Sequence, residues 1–154
     1  MYDLGVGTDY DYRVLERIAP RVLVSADHPR ARPNVAVHLR EFEDEPYILL
    51  DLKHTRDYYL DMFKHVGLRP RVRHLVSGYE TVRSYVSMGH GYSVLNRRLA
   101  HDLTYAGPRV VPLELADDLP PIEVVLVRPR DARPTRKSLA FERVCADLHG
   151  PGKP

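Results

Sequence analysis

Two short runs carry the side chains best placed to hold a ligand: Asp51-Leu52-Lys53-His54-Thr55 and Ser77-Gly78-Tyr79-Glu80-Thr81. Each follows an apolar run and precedes a segment of helical period, so each sits where a strand hands over to a helix. The first turn of a helix leaves its amide N–H groups without intrahelical partners, and its dipole favours negative charge. With a hydroxyl at 55 or 77 beside them, such amides can hold an anionic group. The chemistry is recognition, with no bond made or broken. Thr55 has an equally good local use as a helix cap, and one residue can serve both ends. Ser77 with Glu80 three places on has the form of a capping box, which favours a structural role for that serine. Tyr58 and Tyr59 could wall an apolar pocket. Tyr59 falls on a core stripe, which leaves Tyr58 as the wall.

Other chemistries lack their residues. The eight histidines make no H-E-x-x-H and no His/Cys pairing of zinc-site form. His54, Asp57, Asp61 and His65 read as a solvated helix face, and no metal is expected. Gly89-His90-Gly91 precedes a strand, opposite to a dinucleotide fingerprint, so no cofactor is expected. Gly91-Tyr92-Ser93 is not a nucleophile elbow. Cys145, the only cysteine, lies on the apolar stripe of the last helix and reads as core. The carboxylates of Glu41–Glu45 read as a solvated charge run.

The elements that must position the two junctions follow from periodicity. Val22–Val24, Tyr47–Leu50, Arg71–Val76, Tyr92–Leu95, Arg109–Leu115 and Ile122–Val127 are expected strands, the last apolar enough to be covered on both faces. Tyr59, Met62, Phe63 and Val66 recur at i, i+3, i+4 and i+7, predicting a helix from about Thr55 to Val66 that stops at Gly67. A second helix carries Tyr79, Val82 and Val86 and ends near Gly89. A third follows Thr135 with Phe141, Val144, Cys145 and Leu148 as its buried stripe. Arg30–Glu45 is polar, holds at most a short helix at His38–Phe42, and reads as a connection between lobes. The middle is therefore β-α-β-α-β, an α/β fold with a mostly parallel sheet. Ligands of such sheets bind outside the strands' carboxyl ends.

The chain has 154 residues, 44% hydrophobic and 29% charged, ample for one globular domain. Its 23 basic and 21 acidic side chains leave +2, too little to mark a nucleic-acid binder by field alone. The start has no basic and apolar signal-peptide pattern, no apolar stretch is long enough to span a membrane, and no internal disulfide is possible. A cytoplasmic setting is expected.

A family resemblance joins these pieces. Ala26-Asp27-His28-Pro29-Arg30-Ala31 resembles the "DHPLA" segment of LysR-type transcriptional regulators. Glu45–Asp51 resembles the strand opening that family's second effector-domain lobe, Gly67-Leu68-Arg69-Pro70 its "GLRP" helix exit, and Gly89–Leu95 its "GxGYSLL" segment, all in order. The resemblance implies a type 2 periplasmic-binding-protein-like fold: one complete α/β lobe, residues 33–110, plus a partial lobe from 1–32 and 111–149, with a disordered tail at 150–154. It implies a small effector held in an inter-lobe cleft, here by the junction of Asp51, Lys53, His54 and Thr55 and by the Ser77–Thr81 run, to which the reading of the residues adds Tyr58 as a wall and an anionic ligand. Gly89 and Gly91 then serve the helix–strand turn. It implies homo-oligomers in the full-length family, and DNA contact only through a helix-turn-helix domain that these residues do not supply. The rival expectations are a stand-alone fragment that associates with a full-length relative, and a solute-binding protein of the same fold. An enzyme is not expected.

Overall fold

The computed structural model describes residues 2–3, 7–32, 35–53, 55–96 and 101–149. They form two compact units. One runs to Ile18 and resumes at Pro121; the other is Ala19–Pro120. In the larger unit β3 (Arg21–Ser25) pairs with β7 (Val110–Glu114) on one side and with β6 (Ser93–Leu95) on the other.

In that unit β4 (Pro46–Leu50) pairs in parallel with β5 (Arg71–Val76). The Ile48 amide donates to Tyr92 O at 2.8 Å and the Tyr92 amide to Pro46 O at 3.0 Å, which sets the start of β6 beside β4. The strands thus follow the order β5-β4-β6-β3-β7. The expectation of a mostly parallel sheet does not hold: β3 is antiparallel to both its neighbours. Pairing between strands distant in sequence left no periodic mark that could have given their directions.

Apolar runs became the inner strands because both their faces are covered. Val22, Leu23, Val24 and Tyr47–Leu50 are buried almost completely. Helix α1 (Thr55–His65) buries Tyr59, Met62 and Phe63, and α2 (Tyr79–Ser87) buries Val82 and Val86, the stripes their spacing predicts. At the end of α1, Leu68 N–H bonds Phe63 O at 2.8 Å and Gly67 N–H bonds Lys64 O at 3.0 Å, a Schellman closure. The segment expected to be a polar connection is part of this core. Its 3-10 turn, Leu39–Phe42, buries both Leu39 and Phe42, and Phe42 stacks near Tyr92 with ring centres 5.0 Å apart. Tyr92 in turn lies 5.2 Å from Tyr47, which meets Phe63 edge-on at 5.0 Å.

The Tyr92 hydroxyl is buried with no hydrogen-bond partner, and burial first, then the nearby Glu45 charge, pushes its pKa up. An unpaired buried hydroxyl costs about 1–3 kcal/mol. Tyr92→Phe is expected to leave stability unchanged or raise it by up to about 1 kcal/mol, read by urea unfolding. A clear loss of stability would show that the hydroxyl has a partner.

The smaller unit is a sheet of order β1-β8-β2, from Tyr2–Asp3, Ile122–Pro129 and Tyr10–Ile18, with α3 (Arg136–Leu148). All its pairings are antiparallel. Strand β2 went unseen in the sequence. Its Tyr-Asp-Tyr-Arg alternation is largely solvent-facing, and a register shift between Val14 and Glu16 breaks the period of two. Strand β8 is not covered on both faces: only Ile122 and Val125 are buried. Helix α3 starts as expected, with Thr135 Oγ1 accepting from Ser138 N at 3.1 Å. Its predicted core stripe is exposed, however: Phe141 by 59%, Val144 by 53%, Leu148 by 60%. Cys145 is half-buried, not core. The expected tail at 150–154 lies outside the described residues.

Candidate effector site

The two junctions meet. Parallel pairing of β4 and β5 brings their carboxyl ends side by side, and the Asp51 amide donates to Val76 O at 2.8 Å, tying one loop to the other. The N-termini of α1 and α2 therefore open at the same edge of the sheet. Strand β6 runs parallel to β4 where they meet, so its end, Asn96, arrives at that edge too.

Several candidate side chains are committed to the protein itself. Asp51 receives a bidentate grip from Arg56, Nε to Oδ1 at 2.8 Å and Nη2 to Oδ2 at 2.6 Å, which holds its carboxyl below the usual range. Thr55 Oγ1 accepts from the Leu52 amide at 3.1 Å and reaches Leu50 O and Leu52 O at the same distance. These bonds tie together the turn that enters α1; they are not the expected cap, in which the hydroxyl would accept from a first-turn amide of the helix. The Tyr58 hydroxyl donates to Pro120 O at 3.3 Å and accepts from Asn96 Nδ2 at 2.8 Å; burial, against that bond, pushes its pKa up to about 12. Tyr79 bonds the Tyr59 hydroxyl. Glu80 Oε2 pairs with Arg83 Nη1 at 2.6 Å, and its Oε1 accepts from the Tyr105 amide at 2.8 Å.

That last pairing overturns the expected capping box. The residue that caps α2 is Gly78, in extended conformation and with no side-chain bond to the helix. Glu80 cannot reach back because it holds Arg83 and the 101–105 loop instead. Ser77, Lys53 and Thr81 are exposed, and among the described residues their side chains have no hydrogen-bond or ion-pair partner. His54 lies outside the described residues. The donors left open are therefore Lys53, the Ser77 and Thr81 hydroxyls, and the first-turn amides of α2. This set suits an anion. Beside them the half-buried Tyr58 ring meets the buried Tyr59 ring edge-on, with centres 5.2 Å apart.

Asn96, 3% exposed and bonded to Tyr58, was missed. Its only signal was a polar residue closing the apolar Tyr92–Leu95 run. Among the described residues no group of three His, Cys, Asp or Glu could hold a metal ion. No helix among them is long and apolar enough to cross a membrane.

Residues 2–149 match the family described as LysR substrate binding domain. Among solved structures, the chain is similar to the C-terminal domain of a probable LysR family transcriptional regulator from Rhodococcus sp. RHA1. The two are 30% identical with a TM-score of 0.86, over 94% of this chain and 71% of that one. It is also similar to HinK, a LysR family transcriptional regulator from Pseudomonas aeruginosa, at 28% identity and a TM-score of 0.89, over 97% of this chain and 52% of HinK. The chain thus spans about half the length of HinK. The effector binding domain of QuiR, in complex with shikimate, has the same fold at 18% identity and a TM-score of 0.74, over 92% of this chain and 66% of that one. No curated protein matches.

Proposed function

The chain belongs to the LysR substrate-binding-domain family, and from that premise we propose that it is the effector-sensing part of a LysR-type regulator, binding a small anionic metabolite. The observation that carries this reading is the Asp51–Val76 bond, which puts two helix N-termini and the open donors of Lys53, Ser77 and Thr81 at one edge. Asp51, Thr55, Tyr58, Tyr79 and Glu80 shape that edge through their own bonds, while Gly78 keeps the approach to α2 free of a side chain. His54 completes the run. Shikimate, the ligand of the QuiR domain, is a carboxylate of the kind such a site takes.

The mechanism is a population shift: a ligand that binds one arrangement of the domain more tightly raises its share. No bond is broken, so the chain is not an enzyme. In this reading the regulator works in the cytoplasm as a homo-oligomer and touches DNA through a separate domain.

A thermal-shift panel of small carboxylates and phosphate esters, shikimate included, tests the reading. A ligand at 100 times its Kd adds about 2.7 kcal/mol of stability. With the best ligand, Ser77→Ala and Thr55→Ala are then titrated by calorimetry. Ser77→Ala is expected to weaken affinity while costing little stability. Thr55→Ala is expected to cost about 1 kcal/mol of stability through the lost turn bonds to Leu50 and Leu52, with a further loss of affinity. Unchanged affinity in both variants would sink the assignment.

A second reading is favoured by one observation, the exposed Phe141, Val144 and Leu148 of α3. In it the chain associates with a full-length relative through that face. Light scattering that finds a strict monomer at high concentration, alone and mixed with such a relative, removes it.

A further inference from the structure

The chain leaves the Ala19–Pro120 unit through a segment with few bonds of its own. Pro120 and Pro121 have no amide N–H, so neither can donate to a neighbouring strand. Leu119 is buried in the core. Among the described residues a single hydrogen bond reaches residues 118–121, from the Tyr58 hydroxyl to Pro120 O at 3.3 Å. Tyr58 stands in the first turn of α1, at the edge where the open donors of the proposed effector site lie. The one bond that holds the exit of the unit therefore starts from the candidate site.

The chemistry of that hydroxyl is tightly constrained. A phenol has one hydrogen, and Pro120 O can only accept it. Asn96, almost fully buried at the end of β6, must therefore meet the same oxygen with its amide Nδ2, 2.8 Å away. Burial pushes the Tyr58 pKa up to about 12, so the hydrogen is present at neutral pH. The two bonds are unequal. The donated one, at 3.3 Å, is well beyond the roughly 2.7–2.8 Å at which O–H···O bonds cluster, while the accepted one is short. Asn96 thus fixes the oxygen, and the hydrogen is held loosely. Tyr79, the first residue of α2, lies within electrostatic reach of Tyr58 and bonds the Tyr59 hydroxyl. The loosely held hydrogen is therefore beside the first turn of α2, whose amides suit an anion. A bond to an ionised acceptor is roughly twice as strong as one to a neutral carbonyl, so a bound anion would win the hydrogen from Pro120.

We propose that the Tyr58 hydroxyl is the switch of the effector site: without ligand it holds Pro120, and a small anion bound at Lys53, Ser77, Thr81 and the α2 amides takes its hydrogen and lets Pro120 go. Asn96 is the positioning residue, keeping the oxygen where it serves either acceptor. The proposal rests on the effector reading and adds how occupancy of that edge is passed to residues 118–121. Binding exchanges one weak bond inside the protein for a stronger one to the ligand, and loosens the segment by which the chain leaves the unit.

The test is carbon-detected NMR of the full chain, in which the Pro120 carbonyl and the Pro121 nitrogen give one correlation although neither residue has an amide hydrogen. Inorganic phosphate and shikimate are titrated in turn, with sodium chloride at matched ionic strength as the control. The Ser77, Gly78 and Thr81 amides are expected to shift saturably with at least one of the two anions, and the Pro120–Pro121 correlation to move with the same midpoint. Chloride is expected to move neither. Tyr58→Phe, which keeps the ring, is expected to place that correlation at its ligand-bound position before any anion is added and to hold it there throughout. It should also weaken the anion about fivefold, the surplus of a charged hydrogen bond over a neutral one. Saturable shifts at Ser77, Gly78 and Thr81 with a fixed Pro120–Pro121 correlation would overturn the switch and leave the effector reading standing. No saturable shift at those amides with either anion would overturn both. A correlation unmoved by Tyr58→Phe would show that the bond to Pro120 is not made in solution and overturn the switch. If Tyr58→Phe does not fold, the wild-type titration decides alone.

Discussion

Gly91→Ala lowers the stability of the Ala19–Pro120 unit by about 3 kcal/mol or more, a loss read directly by urea unfolding. Gly91 has φ +142°, and a Cβ placed there would stand 2.1 Å from Pro46 O and 2.9 Å from Pro46 C. Those atoms are backbone and cannot rotate away. Pro46 O is also the acceptor of the Tyr92 amide, the bond that seats β6 against β4. Moving it displaces a junction that lies under Phe42, Tyr47, Phe63 and Tyr92. Gly89 supplies the control. Its φ is +79° but a Cβ there meets nothing within 4 Å, so Gly89→Ala carries only the conformational cost of about 1 kcal/mol. If the two variants lose the same stability, the close approach to Pro46 is not what position 91 requires.

Arg83→Met costs about 2–4 kcal/mol and loosens the segment 101–105. Arg83 is 8% exposed. Its guanidinium donates to His101 O at 2.8 Å, to Leu103 O at 2.7 Å and to Glu80 at 2.6 Å. Methionine keeps the stem's packing and removes all three bonds, leaving two carbonyls and a carboxylate to find water. Glu80 also holds the Tyr105 amide, so the pair clamps one loop onto α2. Hydrogen exchange should show the Tyr105 amide losing protection in Arg83→Met and, less, in Glu80→Gln. Wild-type stability with unchanged protection would show that the clamp is decorative.

Much of the fold was legible. Val22–Val24 and Tyr47–Leu50 were readable because a strand buried on both faces has no choice but to be apolar throughout. Helices α1 and α2 were readable from stripes at i, i+3 and i+4. Strand β2 was not, because it faces solvent and carries a register shift. The Arg30–Glu45 segment misled because Leu39 and Phe42, both fully buried, are outnumbered by charges. Those charges are not simply solvated either: Glu41 holds Arg30 and Glu45 holds His28. Helix α3 shows the limit from the other side. Its stripe is well formed, yet amphipathic spacing states only that one face is apolar and says nothing of what lies against it.

At the candidate site the sequence placed both junctions and their residue types. It could not tell that Asp51 is neutralised by Arg56, that Glu80 is diverted to Arg83, or that Asn96 joins Tyr58.

By itself, then, the sequence determined the periods of its strands and helices, the two strand-to-helix junctions and the ordered motifs of its family, because these are local properties written within a few residues. Only the tertiary structure decided which way the strands pair and which donors remain open at the junctions. Those outcomes depend on how elements distant in sequence pack, which sets the Arg83 guanidinium within hydrogen-bond distance of the Leu103 carbonyl twenty residues on.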